Sequence, residues 1–173
     1  MLVLWLLGVI GAVQAQPSLS EPQVKALFLF NFAKYVDWPA DSFASPESPL
    51  VIGLMGHSYC TDPLRKCVAG KKVSGRSIVV REFETLEEAA VCHIIFVGDS
   101  EKPHQRELLN HLQERAILTV GDADAFVERG GMIGFVKRDG KVRLEINLNT
   151  ARHAKLEISS KLLSVADQVI GKQ

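Results

Sequence analysis

The spacing of apolar residues changes several times along this chain, and each spacing predicts an element. Segment 21–39, EPQVKALFLFNFAKYVDWP, predicts a helix from Pro22 to about Asp37. Proline suits the first turn, and Trp38-Pro39 stops the helix. Its polar side, Gln23, Asn31, Lys34 and Asp37, is interrupted by Leu27 and Phe30. A helix apolar on nearly all sides is buried on more than one of them. Leu27 and Phe30 are then candidates to meet another subunit or partner.

Beyond a polar, proline-containing loop at 40–49, short apolar strands alternate with helical segments. LVIGLMG precedes a helix opening at Asp62-Pro63, GRSIVVREF precedes TLEEAA, CHIIFVG precedes the amphipathic KPHQRELLNHLQER, and AILTVG precedes DADAFVERG. Strands apolar on both faces and alternating with helices predict a parallel sheet covered on both sides. Near the C-terminus, Leu162, Val165, Ala166 and Val169 fall at helical spacing behind a Ser159 or Ser160 N-cap.

Alternation of period two marks the stretch from Gly130 to Leu148 as a hairpin. Asp139-Gly140 suits a two-residue turn with positive φ at both positions. That turn sets Leu144 opposite Phe135 and Ile146 opposite Ile133, with Glu145 opposite Gly134 between Arg143 and Asn147 on the other face. The expected architecture is α/β: a three-layer sandwich with a mostly parallel central sheet and an antiparallel hairpin at the C-terminal edge.

Composition adds bounds to this picture. With 173 residues, 47% of them hydrophobic, the chain suits one domain, placed at residues 21–171. Twenty basic and twenty acidic residues cancel, so charge favours neither nucleic acid nor an anionic membrane as partner. Residues 1–15, an apolar run closing on Val13-Gln14-Ala15, read as an export signal, though without the usual basic residue after Met1. The run is too short to span a bilayer, and no cysteine follows Ala15 to carry a lipid. In an exported chain disulfides persist. A helix that runs back after a parallel strand brings Cys67 to the level where Cys92 begins the next strand, so Cys67–Cys92 is the expected bridge, with Cys60 unpaired at the opposite end of the sheet.

Candidate chemistry is sparse. Dinucleotide, P-loop, esterase-elbow and zinc-protease motifs are absent. Asp99, Asp122 and Asp124 fall at the carboxyl ends of strands, where open sheets bind ligands, but aspartates there more commonly cap the following helix. The five histidines, His57, His93, His104, His111 and His153, form no chelating pair or triad. Glu145 has no second carboxylate on its strand, and Arg143 on the same face favours its charged form. No catalytic residue, metal site or cofactor is expected.

In their order and spacing, NFAKYVDWP, GRSIVVR, CHIIFVG, ILTVGDADAFVERGGMIGF, VRLEINL and LEISSKLL resemble the YfiR family. The resemblance implies a periplasmic α/β domain, commonly a homodimer, without catalytic activity. It implies further a repressor of an inner-membrane diguanylate cyclase, bound at the cyclase's periplasmic domain and relieved by an outer-membrane lipoprotein, and hence control of cyclic di-GMP. Within the matched motifs, Glu145 and Asn147, with Arg143, are the expected partner-binding residues beside Leu27 and Phe30. The competing expectation is a periplasmic small-ligand binding protein using the strand-end cleft near His57, Asp99 and Asp122.

Overall fold

This computed structural model describes residues 18–56 and 58–172; the export signal expected at 1–15 and His57 lie outside the described residues. The chain runs through α1 (Glu21–Tyr35), β1 (Val36–Asp37), β2 (Leu50–Met55), α2 (Thr61–Val68), β3 (Lys72–Val73) and β4 (Arg76–Phe83). It continues through α3 (Leu86–Ala89), β5 (Ile94–Val97), α4 (Gln105–Leu112), β6 (Leu118–Gly121), β7 (Ile133–Arg138) and β8 (Lys141–Asn147). It closes with α5 (Leu148–His153), β9 (Glu157–Ile158), α6 (Ser160–Leu163) and β10 (Gln168–Ile170).

Eight strands form one sheet in the order β10-β8-β7-β6-β5-β2-β4-β3. All neighbours are parallel except β7–β8 and β3–β4. The mixed α/β architecture with a mostly parallel sheet is therefore as the apolar pattern requires. Leu29, Phe32, Leu64 and Ala151 cover one face, with Ile52, Leu54, Ile94, Leu118 and Ile146 beneath them. On the other face Ala89, Leu108, Leu112 and Phe126 cover Val51, Ile95 and Val97. Among the described residues no helix is long and apolar enough to cross a membrane.

The hairpin has its expected turn and register: Asp139 and Gly140 have φ of 51° and 71°, and Glu145 pairs with Gly134. A short strand not foreseen, β10, lies parallel to β8 on its outer side, with Gln168 beside Glu145. The C-terminal helix expected through Val169 is one turn, capped by Ser159, after which the chain extends. Pairing with β8 outcompetes helical spacing there, and Val165 is left exposed.

Helix α1 ends at Tyr35 rather than Asp37, because Val36 and Asp37 pair antiparallel with Ile158 and Glu157. Segment DADAFVERG is a series of turns rather than a helix, with φ of 54° at Ala125 and 100° at Gly130. Phe126 explains that path. Its ring fills the space beside both Gly121 and Gly131, where a Cβ would come within 2.3 Å and 2.1 Å of ring carbons.

The Cys67–Cys92 bridge is not formed; Cys60, Cys67 and Cys92 are all free. Cys67 packs with the α1 side of the core, whereas Cys92 belongs to the core on the opposite face, its sulfur filling the space above Gly53. Strand level brings the two residues to one end of the sheet, but the sheet stands between them. Desolvation pushes the Cys60 and Cys92 thiols up to about 11, so both are protonated and unreactive at neutral pH.

At the amino ends of β2, β4 and β5, four pieces of the sequence converge on His93. Its Nδ1 accepts from the Val51 amide at 3.1 Å, its Nε2 donates to the Ser42 carbonyl at 3.1 Å, and its ring stacks on Phe43 at 4.3 Å. The Arg76 guanidinium lies 3.8 Å from the other face of Phe43 and donates to the Ser45 and Ser48 carbonyls. Trp38 donates from its indole to the His93 carbonyl. Together these contacts clamp the 40–49 loop onto the sheet.

Burial, more than the Arg76 charge, lowers the His93 pKa from its ordinary 6.5, although the Ser42 carbonyl opposes the shift. The unfolded chain then takes up the proton first as pH falls, so stability should decline below about 6.5 and level off below the folded pKa. Melting temperatures between pH 8 and 5 should show this loss in the wild type and a smaller one in His93→Asn.

Candidate functional site

Lys25 is a buried lysine in an otherwise apolar turn of α1, and the structure shows what holds it there. Its ammonium donates to Tyr59 Oη at 2.6 Å and Asp122 Oδ2 at 2.8 Å, and Glu21 Oε1 lies 2.9 Å away. Those three oxygens match the three donors of an ammonium group. Tyr59 also donates to Asp122 Oδ2. The Lys25 and Asp122 side chains are only 6% and 7% exposed, so the pair is removed from bulk water.

Each element contributes for a local reason. Lys25 follows Glu21 by one helical turn, which makes them neighbours on α1. Asp122 follows Gly121, the last residue of β6, and Tyr59 stands in the connection from β2 to α2. The site therefore joins α1 to the carboxyl edge of the sheet. Burial pushes the Lys25 pKa down most strongly, but the bonds to Asp122, Tyr59 and Glu21 outweigh it and hold the ammonium charged well above neutral pH. Burial, then Asp122, pushes the Tyr59 hydroxyl upward, so it remains a protonated donor.

Asp122 Oδ1 is buried without a hydrogen-bond partner, and an adjoining cavity of about 450 Å³ is lined by Glu21, Lys25, Asp124, Phe135, Lys137 and Arg138, among others. The expectation that Asp122 caps a helix is not met, because no helix follows β6. Asp124 is exposed beside this cavity, and Asp99 opens a short 3-10 turn elsewhere on the carboxyl edge. Among the described residues no three His, Cys, Asp or Glu side chains form a group that could hold a metal ion.

The residues expected to bind a partner fall in two places. Glu145 does not face solvent: it is 7% exposed and accepts from Arg138 at 2.6 Å. Asn147 caps α5, accepting from the Thr150 amide at 3.2 Å and donating to the Val127 carbonyl at 3.0 Å. Glu145 is covered by Arg138, and half-buried Asn147 is held between α5 and the Val127 carbonyl, while β10 makes β8 an interior strand. Arg143 remains half-exposed near Asp167, 3.9 Å away, and Arg138 reaches the same carboxylate at 3.6 Å.

On α1, Leu27 is 38% exposed and Phe30 is partly covered, with Lys71 Nζ 4.5 Å from its ring centre. Lys137 meets Glu21 at 3.2 Å, linking the hairpin tip to the start of this helix. Lys25, Tyr59 and Arg138 went unnoticed in the sequence. The one available signal was a lysine one turn after a glutamate inside an apolar helix.

Removing Lys25 should strand Asp122 as a buried unpaired charge. Lys25→Met is expected to cost roughly 3–5 kcal/mol in urea unfolding, and Lys25→Met/Asp122→Leu should recover much of it. Glu145→Lys, which opposes Arg138 with a like charge, should destabilise by more than about 2 kcal/mol. A melting temperature unchanged in Glu145→Lys would contradict its burial.

Comparison with known proteins shows the lineage of this architecture. No curated protein matches the chain. A "conserved domain protein" from Vibrio cholerae O1 biovar eltor shares the fold with a TM-score of 0.58 at 13% identity, over 87% of this chain and 60% of that one. An "ABC domain in complex with L-Trp" from Streptococcus pneumonia gives 0.50 at 16% identity, over 70% of this chain and 55% of that one. The chain thus spans less than two thirds of the length of either structure, and at such identity the likeness is one of fold alone. The model of a sequence family described as YfiR/HmsC-like matches residues 22–167. With nearly the whole described chain matched, this protein belongs to the YfiR/HmsC-like family.

Proposed function

We propose that this chain is a non-enzymatic periplasmic regulator that binds the periplasmic domain of an inner-membrane diguanylate cyclase and represses it, so controlling cyclic di-GMP. The observation that carries the reading is the continuous family match over residues 22–167. Residues 1–15 serve as its export signal, and an outer-membrane lipoprotein relieves the repression. Repression requires tighter binding to the inactive receptor than to the active one; moving a receptor from 1:99 to 99:1 takes a preference of about 10⁴-fold.

The receptor-facing surface in this reading combines Leu27 and Phe30 on α1 with the hairpin side chains Arg143 and Arg138. Glu145 and Asn147 support that surface from within: Glu145 orients Arg138, and Asn147 anchors β8 to α5. A second reading, a small ligand at the strand-end cleft, has in its favour the partnerless Asp122 Oδ1 next to a cavity of about 450 Å³.

Deleting the gene should raise cellular cyclic di-GMP, and the wild-type gene should lower it again. Arg143→Glu and Leu27→Glu, at normal protein abundance, should leave it near the deletion level, because reversing a charge at a complementary interface weakens binding by about tenfold or more. Cyclic di-GMP unaffected by the deletion would overturn the proposal.

A further inference from the structure

The polar site at the carboxyl edge of the sheet leaves one buried acceptor over. Lys25 and Tyr59 both donate to Asp122 Oδ2, while Oδ1 of the same carboxylate, on a side chain only 7% exposed, has no partner. A buried acceptor left unpaired is costly, and more so when it is charged. Asp122 lines the cavity of about 450 Å³ between α1 and the hairpin, where Phe135 and Val142 supply apolar wall. That volume falls in the range of about 300–1,000 Å³ usual for small-molecule sites.

The other charges of the lining narrow what fits. Lys25 spends its three donors on Tyr59, Asp122 and Glu21, Lys137 holds Glu21 at 3.2 Å, and Arg138 holds Glu145 at 2.6 Å. The Lys137 and Arg138 side chains are more than half exposed, so water completes their hydrogen bonds. Asp124 is exposed at the same cavity, and its carboxylate has no partner among the described residues. With Arg138 neutralised by Glu145, the carboxylates of Glu21, Asp122 and Asp124 outnumber the ammonium groups of Lys25 and Lys137. The cavity therefore lacks a positively charged hydrogen-bond donor. Among the described residues no three His, Cys, Asp or Glu side chains gather as a metal ion would need, which favours an N–H donor over an inorganic cation.

We propose that this cavity binds a small organic cation, a primary ammonium on a short apolar chain. The ammonium donates to Asp122 Oδ1, Asp124 adds a second negative charge at the rim, and the chain lies against Phe135 and Val142. The proposal rests on the small-ligand reading of the strand-end cleft and narrows it to a ligand class; it stands apart from whether the chain represses a cyclase.

Because n-butylammonium, n-butanol and butyrate share an alkyl chain and differ in charge, together they test the class. Titrated into the isotope-labelled protein in phosphate buffer at neutral pH, n-butylammonium should give saturable amide shifts at Asp122, Asp124, Phe135 and Val142. The alcohol and the carboxylate should bind about tenfold more weakly or not at all. Asp124→Asn should weaken n-butylammonium binding about fivefold, as loss of a rim charge does, whereas Lys137→Met should tighten it by removing a repelling ammonium. Lys25→Met/Asp122→Leu, checked for a cooperative melt, should abolish it. Preference for butyrate, or weaker n-butylammonium binding in Lys137→Met, would overturn the ammonium class while leaving the cleft a ligand site. No saturable shift with any of the three would overturn both, water alone then filling the cavity.

Discussion

Every residue of β2, β5 and β6 is buried, so these strands leave water only when an apolar layer covers each face of the sheet. Helix α1 and its neighbours supply one layer, α4 and Phe126 the other. Polar groups are thereby driven to the ends of the strands. The two polar constructions of this protein stand there: the His93 clamp at the amino ends and the Lys25–Asp122 pair at the carboxyl ends.

These constructions act alike. Each uses a titratable side chain in a fixed protonation state to fasten a covering segment: a neutral imidazole for the 40–49 loop, a charged ammonium for α1. Desolvation acts on both, lowering the His93 pKa and opposing the charge on Lys25. It prevails at His93, which has no carboxylate partner, and yields at Lys25, which has two. The family motif is largely explained by such fastening. Trp38, Arg76 and His93 meet in one clamp, and Gly131 leaves room for Phe126.

The surfaces left over are the ones available to partners. The hairpin tip is basic with Lys137, Arg138, Lys141 and Arg143, and α1 presents Leu27.

From the sequence alone came the layer architecture, the hairpin with its register, and α1, α2 and α4, because each depends on residues within a few positions of one another or on a long apolar period. Asp122 was legible as a strand-end carboxylate, but not its partner, since Lys25 and Tyr59 lie 97 and 63 positions away along the chain. The misread elements share this cause. Strand β10 exists because β8 offers it an edge, DADAFVERG stays in turns because Phe126 fits between two glycines, and the cysteines stay apart because a sheet separates them. Glu145 is the sharpest case: alternation correctly gave its face, but only the arrival of β10 and the reach of Arg138 decided that this face is covered. Local spacing sets where a side chain points; what waits for it there is set by segments the chain brings back from far away.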